Sequence, residues 1–234
     1  MQLRSRLCIL RELKKKNLKM NEIARRLDVT PTEAFRQLER LSTAMLVQRQ
    51  PDGTFVLAEY GKIVLQISTS LAFLSKYKEY FSTHDLMRLP IQFVNRLGEL
   101  AGAKLEMDTI ESLNKGAKWF SEAKPYAWGI GEGTIPEHMI PVMNQQVQRG
   151  IQVKMLIPTE LLPAVSQPGT TKNVEARGLS DLSGIVAFKE EMAGICFRQL
   201  GGRIDYAGFF GSDPVFRNWV KDLFLYYWGK AKRV

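Results

Sequence analysis

Apolar residues in the first quarter of the chain recur at the three- and four-residue spacing of amphipathic helices. A first helix is predicted over residues 3–15, with four leucines on one side: Leu3, Leu7, Leu10 and Leu13. The sequence KNLKMN interrupts this pattern. A short second helix is predicted to follow, with Asn21 as its N-cap and an apolar face formed by Ile23, Ala24 and Leu27.

A third helix is predicted to begin at the sequence TPTE, residues 30–33. Thr30 is placed to cap the first turn, Pro31 occupies a position that needs no amide donor, and Glu33 completes a capping box. The apolar face of this helix consists of Ala34, Leu38 and Leu41, and the opposite side carries Thr32, Arg36, Gln37 and Arg40.

Two short β-rich runs follow the third helix. Residues 45–50 and 55–57 are joined by the sequence PDGT, whose proline and glycine favour a tight turn, so the segment predicts a hairpin. Three helices and a hairpin in this order predict an α+β winged helix-turn-helix domain over residues 1–58. In such a domain the third helix enters the major groove and the hairpin lies along the adjacent backbone.

Positive charge is concentrated in this predicted domain. The chain has 33 Lys and Arg against 24 Asp and Glu, a net charge of +9, and +7 of this falls within residues 1–50. A local basic field favours encounter with a polyanion, which predicts double-stranded DNA as the partner. Arg36 is the expected base reader, with Thr32 and Gln37 beside it, and Arg40 and Arg49 are expected to hold phosphates. The full predicted DNA-binding set is Thr30, Pro31, Thr32, Arg36, Gln37, Arg40, Arg49, Gly53 and Thr54.

A long linking helix is predicted over residues 59–82. Its apolar positions alternate at spacings of three and four, as in a heptad seam: Tyr60, Val64, Ile67, Leu71 and Leu74. Such a seam pairs with its copy in a homodimer or packs on the core of its own chain. The homodimer is favoured because helix-turn-helix proteins commonly bind paired half-sites.

Beyond residue 83 the pattern changes to strands alternating with helices. Strands are predicted over residues 104–107, 126–130, 151–157, 185–188, 194–198 and 203–208, and helices over 109–121, 136–149 and 214–228. This alternation predicts an α/β domain over residues 83–234 with a mixed, mostly parallel sheet.

A glycine-rich stretch, WGIGEGT, follows one of these strands and precedes a helix. Bare backbone amides at such a place form a site for a small-molecule effector, although a plain flexible loop explains the glycines equally well. The predicted ligand-binding residues are Trp128, Gly129, Gly131, Gly133, Thr134 and, near a Gly-Gly turn, Arg198.

Two stretches of the chain carry resemblances to known families. VTPTEAFRQLERLSTAMLVQRQPDGTFVL resembles the recognition helix and wing of winged helix-turn-helix regulators, with Met45 where those families usually place glycine. HDLMRLPIQFVNRLGEL, RGIQVKMLIP and GSDPVFRNWVKDLFLYYW resemble the regulatory domain of archaeal transcription regulators named after control of methanogenesis and filament formation. That resemblance implies a sensor domain with a phospholipase-D-like fold attached to an N-terminal winged helix.

Several classes of function are disfavoured by the composition. No apolar run is long enough to span a bilayer and the N-terminus lacks a signal-peptide core, so a cytoplasmic protein is expected. Two distant cysteines and two histidines predict no disulfide and no metal site, and no cofactor is expected. The HxKxxxxD motif of phospholipase-D-type enzymes is absent, and the His84-Asp85 pair has no nucleophile nearby, so it is expected to cap a turn.

These features predict a sequence-specific transcription regulator that is not an enzyme. Its C-terminal domain is expected to sense a small molecule or a partner. Two alternatives remain open at this point: an architectural protein that coats DNA without choosing sites, and an enzyme with an auxiliary nucleic-acid module. The operator, the effector and the sign of regulation are not written in the sequence.

Overall fold

The computed structural model describes residues 2–131, 140–165 and 174–233. The chain divides into two compact units, residues 1–72 and residues 73–234. Among the described helices, none is both long and apolar enough to cross a membrane.

The N-terminal unit contains three helices and a small sheet. Helices α1 (Gln2–Lys15), α2 (Met20–Leu27) and α3 (Pro31–Thr43) are followed by a hairpin of β2 (Val47–Arg49) and β3 (Thr54–Leu57). A two-residue strand, β1 (Leu18–Lys19), pairs antiparallel with β3 and gives the sheet order β1-β3-β2. The predicted apolar faces meet in one core, which includes Leu10, Leu13, Ile23, Leu38 and Leu41.

Helix α2 begins earlier than its predicted N-cap. The cap is Lys19, whose backbone N–H donates to Glu22 Oε2 at 2.8 Å, and Asn21 lies inside the helix. At the other end Asp28 has a φ of 51°, and the amides of Asp28 and Val29 return to carbonyls of the last turn. This left-handed residue turns the chain toward α3.

Helix α3 ends in the same kind of motif. The N–H of Leu46 donates to Leu41 O and the N–H of Met45 donates to Ser42 O, both at 2.9 Å. Met45 has a φ of 56°, so it adopts the left-handed conformation in which glycine is the usual residue. The structure therefore accommodates methionine at the position where the winged helix-turn-helix regulators that this segment resembles usually have glycine.

The long helix α4 (Glu59–Lys76) is shorter than predicted, because the chain leaves helical geometry at Tyr77 before a single turn, α5 (Lys78–Phe81). Leu65 is buried in the N-terminal core, whereas Tyr60, Ile67 and Leu71 of the predicted seam are exposed. Another short turn, α6 (Ile91–Val94), precedes a 3-10 helix at residues 97–102.

The C-terminal unit is built on an eight-stranded sheet with the order β11-β7-β6-β5-β8-β9-β10-β4. Its strands are β4 (Lys104–Glu106), β5 (Tyr126–Ile130), β6 (Gln152–Ile157), β7 (Val174–Gly178), β8 (Gly184–Lys189), β9 (Ala193–Phe197), β10 (Gly208–Gly211) and β11 (Lys232–Arg233).

The sheet is mixed, as predicted, but mostly antiparallel, which corrects the expected pairing. Only β5 with β6 and β6 with β7 pair in parallel among the described strands. The chain passes from β5 to its parallel neighbour β6 through α8 (Ile140–Gln148). It then passes from β6 to its second parallel neighbour, β7, through a connection that contains α9 (Leu162–Val165). Strands β8 and β9, by contrast, are joined by a short turn, and a short turn permits only antiparallel neighbours.

In the C-terminal sheet, one predicted strand is displaced and two of the described strands were missed. Residues 203–207 lie outside the sheet, and β10 begins only at Gly208. Asp205 explains the delay, because its carboxylate accepts from the N–H of Ala207 at 2.8 Å and from Gln199 Nε2 at 2.9 Å, which holds this segment as a turn. Strands β7 and β11 were not predicted from the sequence.

Helices cover both faces of this sheet. Helix α10 (Pro214–Lys230) packs Trp219, Leu223 and Phe224 against Val186 and Phe188 in the larger core. Ala127, Val147 and Val153 belong to a separate cluster that also contacts Phe120 of α7 (Thr109–Ser121). Alternate residues of each strand therefore point to different helical layers.

Candidate nucleic-acid interface

The N-terminal end of α3 is fixed by Thr30 and Pro31. Thr30 Oγ1 accepts a hydrogen bond from the backbone N–H of Glu33 at 3.2 Å, and Pro31 occupies the first helical position, as the sequence predicts. The capping box itself is only half formed. The carboxylate of Glu33 turns away from the cap and accepts from Gln37 Nε2 and Arg36 Nη2, both at 3.0 Å.

Gln37 is placed differently from the prediction that it reads DNA. Its side chain is only 1% exposed, its Oε1 accepts from Arg6 Nε at 2.9 Å, and its Nε2 donates to Glu33. Because it lies three residues after Ala34 and four before Leu41, it falls on the core side of α3. Gln37 therefore links α1 to the start of α3 and is not accessible to a base edge in this structure.

The exposed face of α3 carries the other predicted contacts. Thr32, Arg36 and Arg40 are exposed, and Arg36 is held by an ion pair with Glu33 at the surface. Such exposed pairs contribute about 0–1 kcal/mol, so Arg36 can exchange Glu33 for another acceptor at little cost. The side chains at 32, 36 and 40 follow one another at four-residue spacing along one side of the helix.

Phe35 lies on this face and was missed from the sequence. Its side chain is 48% exposed, although it is the largest apolar residue of the helix. The signal was available in the pattern, since the buried positions 34, 38 and 41 leave position 35 on the outer side. An exposed aromatic ring beside Arg36 can contact a thymine methyl group or a sugar.

The hairpin after α3 is present as predicted, with Val47 opposite Leu57 and Arg49 opposite Phe55. Its turn is closed by Gly53, which has a φ of 80°, and by Asp52, whose Oδ1 accepts from both the N–H and the hydroxyl of Thr54. The hydroxyl of Thr54 lowers the pKa of the Asp52 carboxyl, so this carboxyl is ionised at the tip. Arg49 is exposed on β2.

The N-terminal unit also carries many exposed basic side chains. In the described part of the N-terminal unit, several exposed cations form no ion pair with a carboxylate: Arg11, Lys14, Lys16, Lys19, Arg25, Arg40 and Arg49. Lys15 and Arg26 share Glu12. Unpaired exposed cations are the groups that bind phosphates and displace counterions on DNA.

The predicted effector residues are only partly brought together. Trp128, Gly129 and Gly131 contribute to the wall of an apolar cavity in the C-terminal unit. Arg198 is not part of this wall, because its guanidinium donates to Gly202 O at 2.7 Å and to Leu182 O at 3.3 Å. Gly133 and Thr134 lie outside the described residues.

His84 is a buried structural residue. Its ring stacks on Tyr80 with centroids 3.7 Å apart, Nε2 lies 3.2 Å from Asp205 Oδ2, and Nδ1 lies 2.6 Å from Tyr80 O. Burial raises the pKa of Asp205, but the N–H of Ala207, Gln199 and His84 outweigh it, so the pKa is lowered overall. It is Asp85 that caps a turn, by accepting from the N–H of Met87 at 2.9 Å.

The sequence matches no family model and no curated protein. Several solved structures match this chain. TrmBL2, an archaeal chromatin protein whose structure shows a novel mode of DNA binding, shares 16% identity over 93% of this chain and 88% of its own, with a TM-score of 0.48. NucT from Helicobacter pylori shares 13% identity over 56% of this chain and 98% of its own, with a TM-score of 0.42. Likenesses of this strength establish neither a family nor an activity.

Proposed function

We propose that this chain is a transcription regulator that binds double-stranded DNA through α3. The observation that carries the proposal is the exposed face of that helix, where Thr32, Phe35, Arg36 and Arg40 lie together. This face belongs to a unit whose first 50 residues hold +7 of the chain's net charge of +9. Three helices followed by a hairpin, together with the sheet order β1-β3-β2, support the proposal that this unit is a winged helix-turn-helix.

Each part of the unit takes a different role in this proposal. Arg36 reads guanine through its N7 and O6 atoms, with Thr32 and Phe35 beside it. The helix start at Thr30 and Pro31 presents the backbone N–H of Thr32 to a phosphate, since Pro31 has no N–H and that of Glu33 donates to Thr30 Oγ1. Arg40, Arg49 and the hairpin tip at Gly53 and Thr54 contact the sugar-phosphate backbone and position the helix. Gln37 contributes indirectly by holding Glu33 and α1 in place.

The proposed regulator is a homodimer that pairs through α4. Four large apolar side chains lie along one side of this helix and are more than half exposed: Tyr60, Ile63, Ile67 and Leu71. Their spacing of three, four and four residues is that of an 11-residue repeat, which keeps all four side chains on one side of the helix. A second copy is the fitting occupant because it carries the same stripe, and two copies supply the two readers that paired half-sites require.

Sedimentation velocity tests the dimer. The chain is expected to sediment as a dimer, and Ile67→Glu, which places a charge in the middle of the stripe, is expected to yield monomers. Gln66→Glu is the matched control, since Gln66 is exposed beside the stripe and should leave the dimer intact. A wild-type protein that sediments as a monomer at micromolar concentrations would contradict this part of the proposal.

The C-terminal unit is proposed to act by binding an effector rather than by catalysis. Its histidine–aspartate pair is buried in a structural network, and its apolar cavity offers space for a small molecule. A ligand regulates only if it binds one arrangement of the dimer more tightly than another.

Selection of binding sites from random DNA, made with the purified full-length protein, tests the central claim. A sequence-specific regulator is expected to enrich a motif with two related half-sites. Recovery of unenriched DNA, together with a steep salt dependence of affinity, would instead identify an architectural protein that coats DNA.

A further inference from the structure

The C-terminal unit contains an apolar cavity of about 250 Å³ between α7 and the sheet. Small residues create this space on both sides. Ala127 of β5 lines the space on the side of the sheet, and a Cβ added at Gly116 of α7 would meet nothing within 4 Å. Larger side chains at these positions would fill the space between α7 and the sheet, so the cavity results from the small residues of the sequence.

Two wall residues each have a buried polar side-chain atom without a hydrogen-bond partner in the described part of the chain, Ser112 and Trp128. Ser112 is 5% exposed, and its Oγ forms no hydrogen bond with any group in the described part of the chain. A buried hydroxyl in this state is unfavourable, because it has lost its hydrogen bonds with water without gaining one in the protein. Trp128 Nε1 is also unpaired, but its ring stacks on Phe224 of α10, on the other side of the sheet. Ser112 is therefore the unsatisfied group that a molecule in the cavity can reach.

The remaining wall favours an aromatic ligand. Trp119, Phe120 and Phe210 contribute ring surfaces, and Met143 and Met155 contribute thioether groups that contact aromatic rings favourably. A dry cavity of about 150 Å³ is known to hold one benzene molecule, so a volume of 250 Å³ fits one or two fused rings.

Charge in the wall is already compensated. The Nζ of Lys189 lies 3.9 Å from Glu122 Oε2, and its side chain is only 12% exposed. The Sγ of Cys196 donates to Tyr206 O at 3.2 Å, and burial raises the pKa of this thiol to about 12, so it is neutral. The wall therefore favours an uncharged ligand over an ionised one.

We infer that the cavity is a binding site for a compact, uncharged aromatic molecule with one hydroxyl group that hydrogen bonds to Ser112 Oγ. This inference rests on the proposed function, because it names the chemical class of the effector that the proposed regulator binds. Ligand binding is measured without DNA, so that the proposed ligand site and the proposed DNA interface are tested independently.

Isothermal titration calorimetry with 2-naphthol as the probe tests the site, with naphthalene as the matched ligand that lacks the hydroxyl. The full-length protein is expected to bind 2-naphthol about tenfold more tightly than naphthalene, the effect of one added hydrogen bond at a buried unpaired group. Ser112→Ala is expected to remove this preference while naphthalene binding persists.

Gly116→Leu fills the cavity and is expected to abolish binding of both probes. Asn114→Leu adds the same side chain at an exposed position of α7 and should bind like the wild type. Circular dichroism shows whether each variant is folded. Absence of binding by the wild type, or unchanged binding by folded Gly116→Leu, would overturn the site, and equal affinities for the two probes would overturn the role of Ser112.

Discussion

Met45, at the end of α3, is held in a backbone conformation that methionine adopts only with strain. Its φ is 56°, and its N–H and that of Leu46 are used to close the helix. Its side chain is 70% exposed, so little packing is lost when it is removed. We therefore predict that Met45→Gly stabilises the N-terminal unit.

The expected magnitude follows from two opposing effects. A left-handed residue with a Cβ carries about 1–2 kcal/mol of strain, which glycine relieves. Glycine also gives the unfolded chain more freedom, which offsets about 0.4–1 kcal/mol of this gain. The net stabilisation is expected to be about 0.5–1 kcal/mol. Amide exchange in the unit should then be about two- to fivefold slower.

Hydrogen exchange with mass spectrometry measures this effect in the full-length protein. Peptides from residues 38–57 report on the helix end and the hairpin. Tryptophan fluorescence monitors the C-terminal unit and serves as an internal control, because the four tryptophans are Trp119, Trp128, Trp219 and Trp228.

Met45→Ala is the matched control, since it removes the exposed side chain but keeps the Cβ. It is expected to change stability by less than about 0.5 kcal/mol. If the amides of Met45→Gly exchange no more slowly than those of Met45→Ala, backbone strain at residue 45 does not lower the stability of the unit, which would refute the prediction.

Three further predictions concern the interface and the core. Arg36→Ala should lower the ratio of specific to random DNA affinity by about 5- to 150-fold. Arg49→Ala should weaken both affinities alike and make the slope of log affinity against log salt concentration shallower by about one unit. Titrations at several salt concentrations distinguish the two variants, and an unchanged ratio for Arg36→Ala refutes its role as a base reader. Gln37→Met should destabilise the N-terminal unit by about 1–3 kcal/mol in hydrogen exchange, because it removes bonds to Arg6 and Glu33, and a neutral result would contradict the network. Iodoacetamide at pH 8 should leave Cys196 unmodified in the native protein, because burial raises its pKa to about 12, and rapid alkylation there would show that its environment is more open.

The local elements of the N-terminal unit were predictable because their causes lie close together in sequence. Thr30 and Pro31 start α3, the spacing of Leu38 and Leu41 sets its buried face, and Gly53 closes the hairpin. Each effect acts within a few residues, and the concentration of positive charge can be counted directly.

The role of Gln37 and the exposure of the α4 stripe were decided only by tertiary structure. Gln37 looks like a polar surface residue until α1 places Arg6 against it. The seam of α4 is compatible with packing on its own core, and the structure instead buries Leu65 and leaves Ile67 and Leu71 exposed. Both outcomes depend on neighbours that are distant in sequence.

The C-terminal sheet also combines features that the sequence predicts with features that only the tertiary structure decides. Alternating strands and helices indicated an α/β unit, but the direction of each strand depends on how its connection crosses the sheet, and Asp205 delays β10 through contacts with Gln199 and His84. The sequence singled out Trp128, Gly129 and Gly131, which border the cavity, but not the cavity beside Ser112 itself, since it arises where Gly116 of one layer faces Ala127 of another. Sequence by itself determined the local elements and the charge, because these follow from neighbouring residues. The tertiary structure alone decided strand direction, burial and empty space, because these arise from contacts between distant segments.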